Sequence, residues 1–325
     1  MAEQGVHASR RQALRMGGAA VGGLLTAGPV VAATASAAAA TKARAQAAGA
    51  ASRLPAGEIE KIIRAKGTVS NGVLNIEIDR NDIPNVHKNG VPIKPAFEIN
   101  GNLCFQALSD GSVMFNGDLC FKPEELNPAI DQMIKHGLAF QAMHQHLFDL
   151  RPMVWFMHLR ARGSARRIAE GLAAVLSVTS TPLPQAPPAH PTTPLDVPRL
   201  SKILGNFSPS IGASGVVSYE IPRRNPIMLD GVHISPYLNI YIPVSFQPMG
   251  AGKAVVVPDF GQEAHEVNRC AATMRAQGWE INCLYNQETA EQPQLYFSHD
   301  FKVGNAYQLA HEVRRGLETL DVVLK

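Results

Sequence analysis

Cysteine is scarce in this chain of 325 residues, and the four present, Cys104, Cys120, Cys270 and Cys283, lack the close spacing of a zinc knuckle. In an oxidising compartment they would allow three pairings, but all sit in apolar runs and read as buried free thiols. Excess charge is also missing. The formal net charge is +3, and Arg10, Arg11, Arg15, Lys42 and Arg44 all lie in an N-terminal segment distinct from the rest of the chain. The remainder is near neutral, which gives no footing for nucleic acid or an anionic membrane surface. No nucleophile elbow, P-loop or dinucleotide fingerprint occurs: Gly111-Ser112 and Gly163-Ser164 both lack the Gly-x-Ser-x-Gly context. The uncharged stretch Met16 to Val31 is diluted by glycine and falls short of the roughly 20 strongly apolar residues that a stable membrane span needs.

That stretch belongs to an expected twin-arginine export signal. Arg10-Arg11 supplies the paired arginines, and Ala33-Thr34-Ala35 and Ala35-Ser36-Ala37 offer small-x-small cleavage sites. The pathway carries folded proteins, so a passenger can acquire a metal before it leaves the cytoplasm. Residues 1–52 are read as this signal and an alanine-rich tail, and the product as periplasmic or extracellular.

The chain beyond residue 52 is duplicated. A shift of 141 residues lays Gly90–Arg167 on Gly231–Gln308 without a gap, matching Phe105-Gln106 with Phe246-Gln247, Asp118 with Asp259, Glu125 with Glu266, Gly137 with Gly278, and Phe156-x-His158 with Phe297-x-His299. A two-residue slip extends the match upstream, from Glu77-Ile78 to Glu220-Ile221. Between the copies, Thr181 to Pro198 holds seven prolines and reads as an extended linker. The expected organisation is a first repeat at 53–178, a linker at 179–198 and a second repeat at 199–325.

Each repeat carries strand-like alternation, at Val73–Ile78 and Val216–Ile221, and a hairpin, turning at Ser109–Gly111 and Met249–Gly252. Helical spacing over Glu124–His136 and Glu263–Gln277 ends at a glycine suited to capping. In the first repeat, strands over Phe140–Leu147 and Met153–Arg160 and a helix over Ala165–Leu176 complete the pattern. It predicts an α+β fold: two tandem copies of a sheet covered by two helices, ferredoxin-like in spirit.

Chemistry concentrates at His144-Gln145-His146, where a strand's period of two sends both imidazoles to one face. A three-residue turn at Leu150–Pro152 would set His144 opposite His158 and His146 opposite Phe156, and any register with an even sum keeps His158 on that face. With Asp149 as a fourth ligand or a carboxylate orienting a bound water, the set suits zinc or another transition metal. In the second repeat the counterparts are Tyr285, Gln287 and Ala290, and only His158 keeps its match, His299. Copy one is therefore read as the functional site and copy two as its structural partner. Glu125 and Glu266, each at a helix start, read as structural.

Gly117-Asp118-Leu119, Glu125-Leu126-Asn127-Pro128, Gly137, Ala142-Met143-His144-Gln145-His146-Leu147, Pro152 and Phe156-Met157-His158 together resemble the LppY/LpqO family. The resemblance covers both copies, Lys61 to Leu324, and is strongest in the first. It implies an exported bacterial protein, often lipidated, with no established activity, and it makes His144 and His146 the best functional candidates. This chain departs from the family pattern at Gln145, at Pro258-Asp259-Phe260, in the second copy's missing histidines, and in lacking a lipobox cysteine. Three readings stand: an exported protein binding a metal or a small ligand through a metal, a metal-dependent hydrolase with Asp149 as proton acceptor, and a structural envelope protein without metal.

Overall fold

A computed structural model describes residues 54–324. The expected export signal and alanine-rich tail, residues 1–52, lie outside the described residues. Among the described residues no helix is long and apolar enough to cross a membrane.

The first repeat opens with α1 (Ala56–Ile63), which buries Ile59 and Ile63, and continues through β1 (Thr68–Ser70) and β2 (Val73–Asp79). Two short strands, β3 (His87–Lys88) and β4 (Val91–Pro92), and a single turn, α2 (Pro95–Glu98), lead to the hairpin of β5 (Asn100–Ala107) and β6 (Val113–Phe121). Then come α3 (Leu126–His136), β7 (Ala139–His144), β8 (Trp155–Gly163) and α4 (Ala165–Ser177). The sheet order is β1-β2-β5-β6-β8-β7. Because β8 runs antiparallel to both β6 and β7, β6-α3-β7 is a parallel unit with β8 inserted, the split βαβ arrangement of ferredoxin-like folds. The helix ends at Gly137, whose φ of 69° gives the left-handed cap expected of it.

The second repeat has the same plan. Its elements are α5 (Val197–Leu204), β9 (Ser210–Ile211), β10 (Val217–Ile221), β11 (Ile227–Leu229), β12 (Val232–Ile234), β13 (Ile242–Gly250), β14 (Lys253–Glu263), α6 (Ala264–Ala276), β15 (Glu280–Ile281), β16 (Glu291–Gln292), β17 (Leu295–Asn305) and α7 (Ala306–Leu317). The sheet order β15-β17-β14-β13-β10-β9 is the first sheet's order read backwards, with β15 standing where β7 does.

The alternation along β6 shows how the copies assemble. Val113, Phe115, Leu119 and Phe121 enter a core with α1, α3 and α4, so the short opening helix α1 joins the two helices expected to cover the sheet. The intervening side chains face the other repeat: Met114 packs with Ile227 and Leu238, and Cys120 with Val255 and Phe301. The layers therefore run helix, sheet, sheet, helix, and both faces of β6 are buried. Some polar groups on the inner face find partners across the interface; the Asn116 amide donates to the Leu238 carbonyl and to Glu288. Gly117 allows β5 to come close, since a Cβ there would lie 2.2 Å from the Asn102 carbonyl oxygen. All four cysteines are free thiols, three of them buried.

Glu125 and Glu266 serve as expected at helix starts: each accepts a backbone N–H three residues earlier, from Lys122 and Glu263. Each also binds an arginine that the sequence reading passed over. Arg80 donates to both oxygens of Glu125 at 2.8 and 3.0 Å, and Arg223 donates to Glu266 at 2.8 Å. These buried pairs recur at equivalent places in the two repeats.

Candidate metal centre

β7 ends at His144, and a register shift between Phe140 and Ala142 changes its pairing with β8. His144 lies opposite Phe156, and His158 opposite Ala142. That is two residues from the expected pairing, but the sum of paired numbers stays even, so His144 and His158 share the inner face as expected. The two rings stack with centroids 5.1 Å apart. The tight turn expected at Leu150–Pro152 is instead a longer connection over residues 145–154. It carries His146 back over the sheet, where its ring lies 3.4 Å from that of Phe156 and 5.1 Å from that of His144. Asp149 sits in this connection, exposed, with φ of 61°. It does not line the cavity beside the histidines.

The facing sheet supplies the group that completes the cluster. His299 of β17 lies opposite Asp259 of β14, as His158 of β8 lies opposite Asp118 of β6. Its ring centroid is 4.0 Å from that of His146. One nitrogen each from His144, His146 and His299 falls within 4.8 Å of the others. Tetrahedral zinc, with Zn–N bonds of about 2.0–2.1 Å, holds ligand nitrogens roughly 3.4 Å apart, a distance that small side-chain rotations reach. His158, the expected third ligand, stands beside this set and outside it. The second repeat is thus a contributor to the site as well as a packing partner. Tyr285, the counterpart of His144, stacks on it with centroids 3.6 Å apart.

The hydrogen bonding is unequal. His146 Nδ1 is 3.0 Å from Glu98 Oε2, a contact that leaves Nε2 as the nitrogen available to ligate. Histidine ligands to metals commonly show this carboxylate contact, which fixes the ring and its tautomer. His299 places Nδ1 3.2 Å from Cys283 Sγ and Nε2 3.6 Å from Asp259 Oδ2. Neither ring nitrogen of His144 or of His158 has a partner, though both residues are buried. Leaving a buried polar atom unsatisfied costs about 1–3 kcal/mol, and a bound ion would relieve that cost.

Burial sets the protonation states. It drives His144 and His146 well below the usual imidazole range, with their histidine neighbours adding to the effect, and lowers His158 and His299 to about 3. All four are neutral at pH 7, the form that ligates metals. Burial likewise raises the carboxyls: Asp118 to about 7, and Glu98 and Asp259 well above their usual range, where they also repel one another. A cation would reverse that repulsion.

Sequence reasoning passed over His299 as a ligand and missed Glu98 altogether. A signal for His299 existed: Asp118/Asp259 and His158/His299 are matched identities in the duplication. Glu98 has no such signal, because its place depends on how α2 docks between the sheets.

Residues 57–178 and again 199–319 match one family model, described as Domain of Unknown Function (DUF1259). No curated protein matches the chain. Among solved structures, EtuB from Clostridium kluyveri is similar over 78% of this chain and 90% of its own, at 9% identity and a TM-score of 0.19. A likeness so slight carries no argument.

Proposed function

We propose that this chain, which belongs to the family of the Domain of Unknown Function (DUF1259), is an exported LppY/LpqO-like protein that binds a transition metal between its two copies. The ligands in this reading are His144 and His146 of the first copy and His299 of the second, with zinc the first candidate ion. The observation that carries it is the convergence of three neutral imidazoles, one oriented by a buried carboxylate and one with both nitrogens unpartnered. Export by the twin-arginine route accords with it, since the fold that creates the site can form, and load, before the chain leaves the cytoplasm.

The test is the metal content of the full chain purified without chelators. About one equivalent of a single metal is expected, and its loss in both a His144→Ala/His146→Ala variant and a His299→Ala variant. Asp149→Ala should keep the metal, because that side chain is exposed and away from the cluster. Wild-type protein free of metal, and still free after dialysis against zinc, would favour the structural reading.

A second reading, metal-dependent hydrolysis, draws support from the cavity that reaches His146 and His299. It leaves room for water at an open coordination position. Asp259 replaces Asp149 as the proton acceptor in this reading, because it is the buried carboxylate beside His299.

A further inference from the structure

The cavity that reaches the histidines runs between the two sheets and has a volume of about 130 Å³. At about 30 Å³ per water that holds roughly four waters, fewer than the about six of a cation's first hydration shell, so an ion inside it keeps only part of that shell. Its walls cross the strands in matching order, β2, β5, β6 and β8 on one side and β10, β13, β14 and β17 on the other. At the β2/β10 end Glu77 is exposed and Glu220 half-buried. Midway stand Asp118 and Asp259, each 6% exposed, and at the far end His158 and His299, each 3% exposed. The gradient marks a mouth and a closed end. Among the described residues no lysine or arginine lines the passage, so its carboxyls have no cationic side chain beside them there, and a cation entering it would favour their ionised form.

Two observations beyond acidity point to an occupant. Both ring nitrogens of His158 are buried, unpartnered and part of the lining, and so is Oδ1 of Asp259. We propose that this passage is the route by which a divalent cation, carrying part of its water shell, reaches the histidines, with Glu77 and Glu220 drawing it in and Asp118 and Asp259 relaying it inward. The inference rests on the proposed metal centre and adds a path to it. The duplication accounts for the path's form: Glu77 and Glu220, like Asp118 and Asp259, are equivalent residues of the two copies, so face-to-face packing brings each carboxylate to the same gap as its twin.

A mouth carboxylate acts on the rate of arrival more than on final affinity, because it lies away from the ligands. The experiment mixes chelator-stripped full-length protein with zinc and times uptake by competition with a coloured zinc indicator. Glu77→Gln/Glu220→Gln should slow loading about tenfold at low ionic strength, within the range of electrostatic steering. The difference should shrink in high salt, with stoichiometry and equilibrium affinity unchanged. Ser245→Phe, which places a ring on β13, between β10 at the mouth and β14 with Asp259, should slow loading at every salt concentration. Wild-type protein that takes up stoichiometric zinc while both variants load at its rate would overturn the route and leave the metal centre standing. Wild-type protein that takes up no zinc would overturn both.

Discussion

Glu98 offers the sharpest test of how the cluster is organised. It ends α2, a single turn held against the second copy: the Lys94 N–H donates to Gln247 at 2.8 Å, and the Gln247 amide donates to the Pro92 carbonyl at 2.7 Å. From that anchored position it meets His146 Nδ1 at 3.0 Å. Loss of such an outer carboxylate typically lowers metal affinity about 10- to 100-fold, which is roughly 1.4 to 2.7 kcal/mol. The two substitutions should divide that range. Glu98→Gln keeps an oxygen that accepts the Nδ1–H and loses only the charge, so about tenfold is expected; Glu98→Ala frees the ring and should approach 100-fold. Metal-free stability should respond differently. Burial, then Asp259 and Asp118, hold the Glu98 carboxyl far above its usual range, so its neutral replacement should leave the metal-free protein unfolding at the same temperature or higher. Zinc affinity measured against a chelator at pH 7, beside thermal unfolding of the stripped protein, separates the two effects. Binding by Glu98→Ala within twofold of wild type would refute the orienting role and, with it, His146 as a ligand.

Burial makes two further outcomes testable. Three ordinary imidazoles of pKa about 6.5 would lose roughly four orders of magnitude in metal affinity between pH 7 and pH 5, as protons compete for each ring. Here burial holds His144, His146 and His299 below that range, so they stay neutral and ligand-competent as pH falls. Affinity measured at the two pH values should drop less than about tenfold, and a drop near the ordinary value would show that the rings titrate normally. The buried arginine pairs predict matched stability losses: Glu125→Ala leaves Arg80, which is 1% exposed, with Asp82 as its carboxylate partner, and Glu266→Ala leaves Arg223, which is 3% exposed, with Glu263. Each should cost about 1.5–3 kcal/mol, the range for lost hydrogen bonds to a charged group, or roughly 3–6 °C in Tm for a cooperative unit of this size, read by calorimetry on the metal-free chain.

The local elements were largely legible in the sequence, because their signals are local. Apolar spacing over Ala165–Leu176 and a glycine after His136 specify a helix and its end without reference to the rest of the chain. The β7–β8 pairing was less so. The parity that keeps His144 and His158 on one face was readable, but the shift at Gln141 and the long connection after His144 were not, since irregular backbone leaves no periodicity. The pairing of Arg80 with Glu125 and of Arg223 with Glu266 escaped because the partners lie more than forty residues apart, and only the fold brings them together. The site was half visible. His-x-His announced one side of it; the other required knowing that the two sheets pack face to face.

That packing also bears on why the copies diverged where they did. Face-to-face packing brings His144 directly against its own counterpart, Tyr285, with ring centroids 3.6 Å apart. Four histidines at the His144 and His146 positions of both copies would crowd one place with more imidazoles than one tetrahedral ion can use beside His158 and His299. Replacing one pair by Tyr285 and Gln287 resolves the conflict. The tyrosine ring keeps the stacking surface, and the glutamine amide turns away to donate to the Asn239 carbonyl and to Glu288. By contrast Asp118/Asp259 and His158/His299 occupy opposite walls without collision and stay identical. On the proposed reading, the absence of His-x-His from the second copy is what a single shared centre requires.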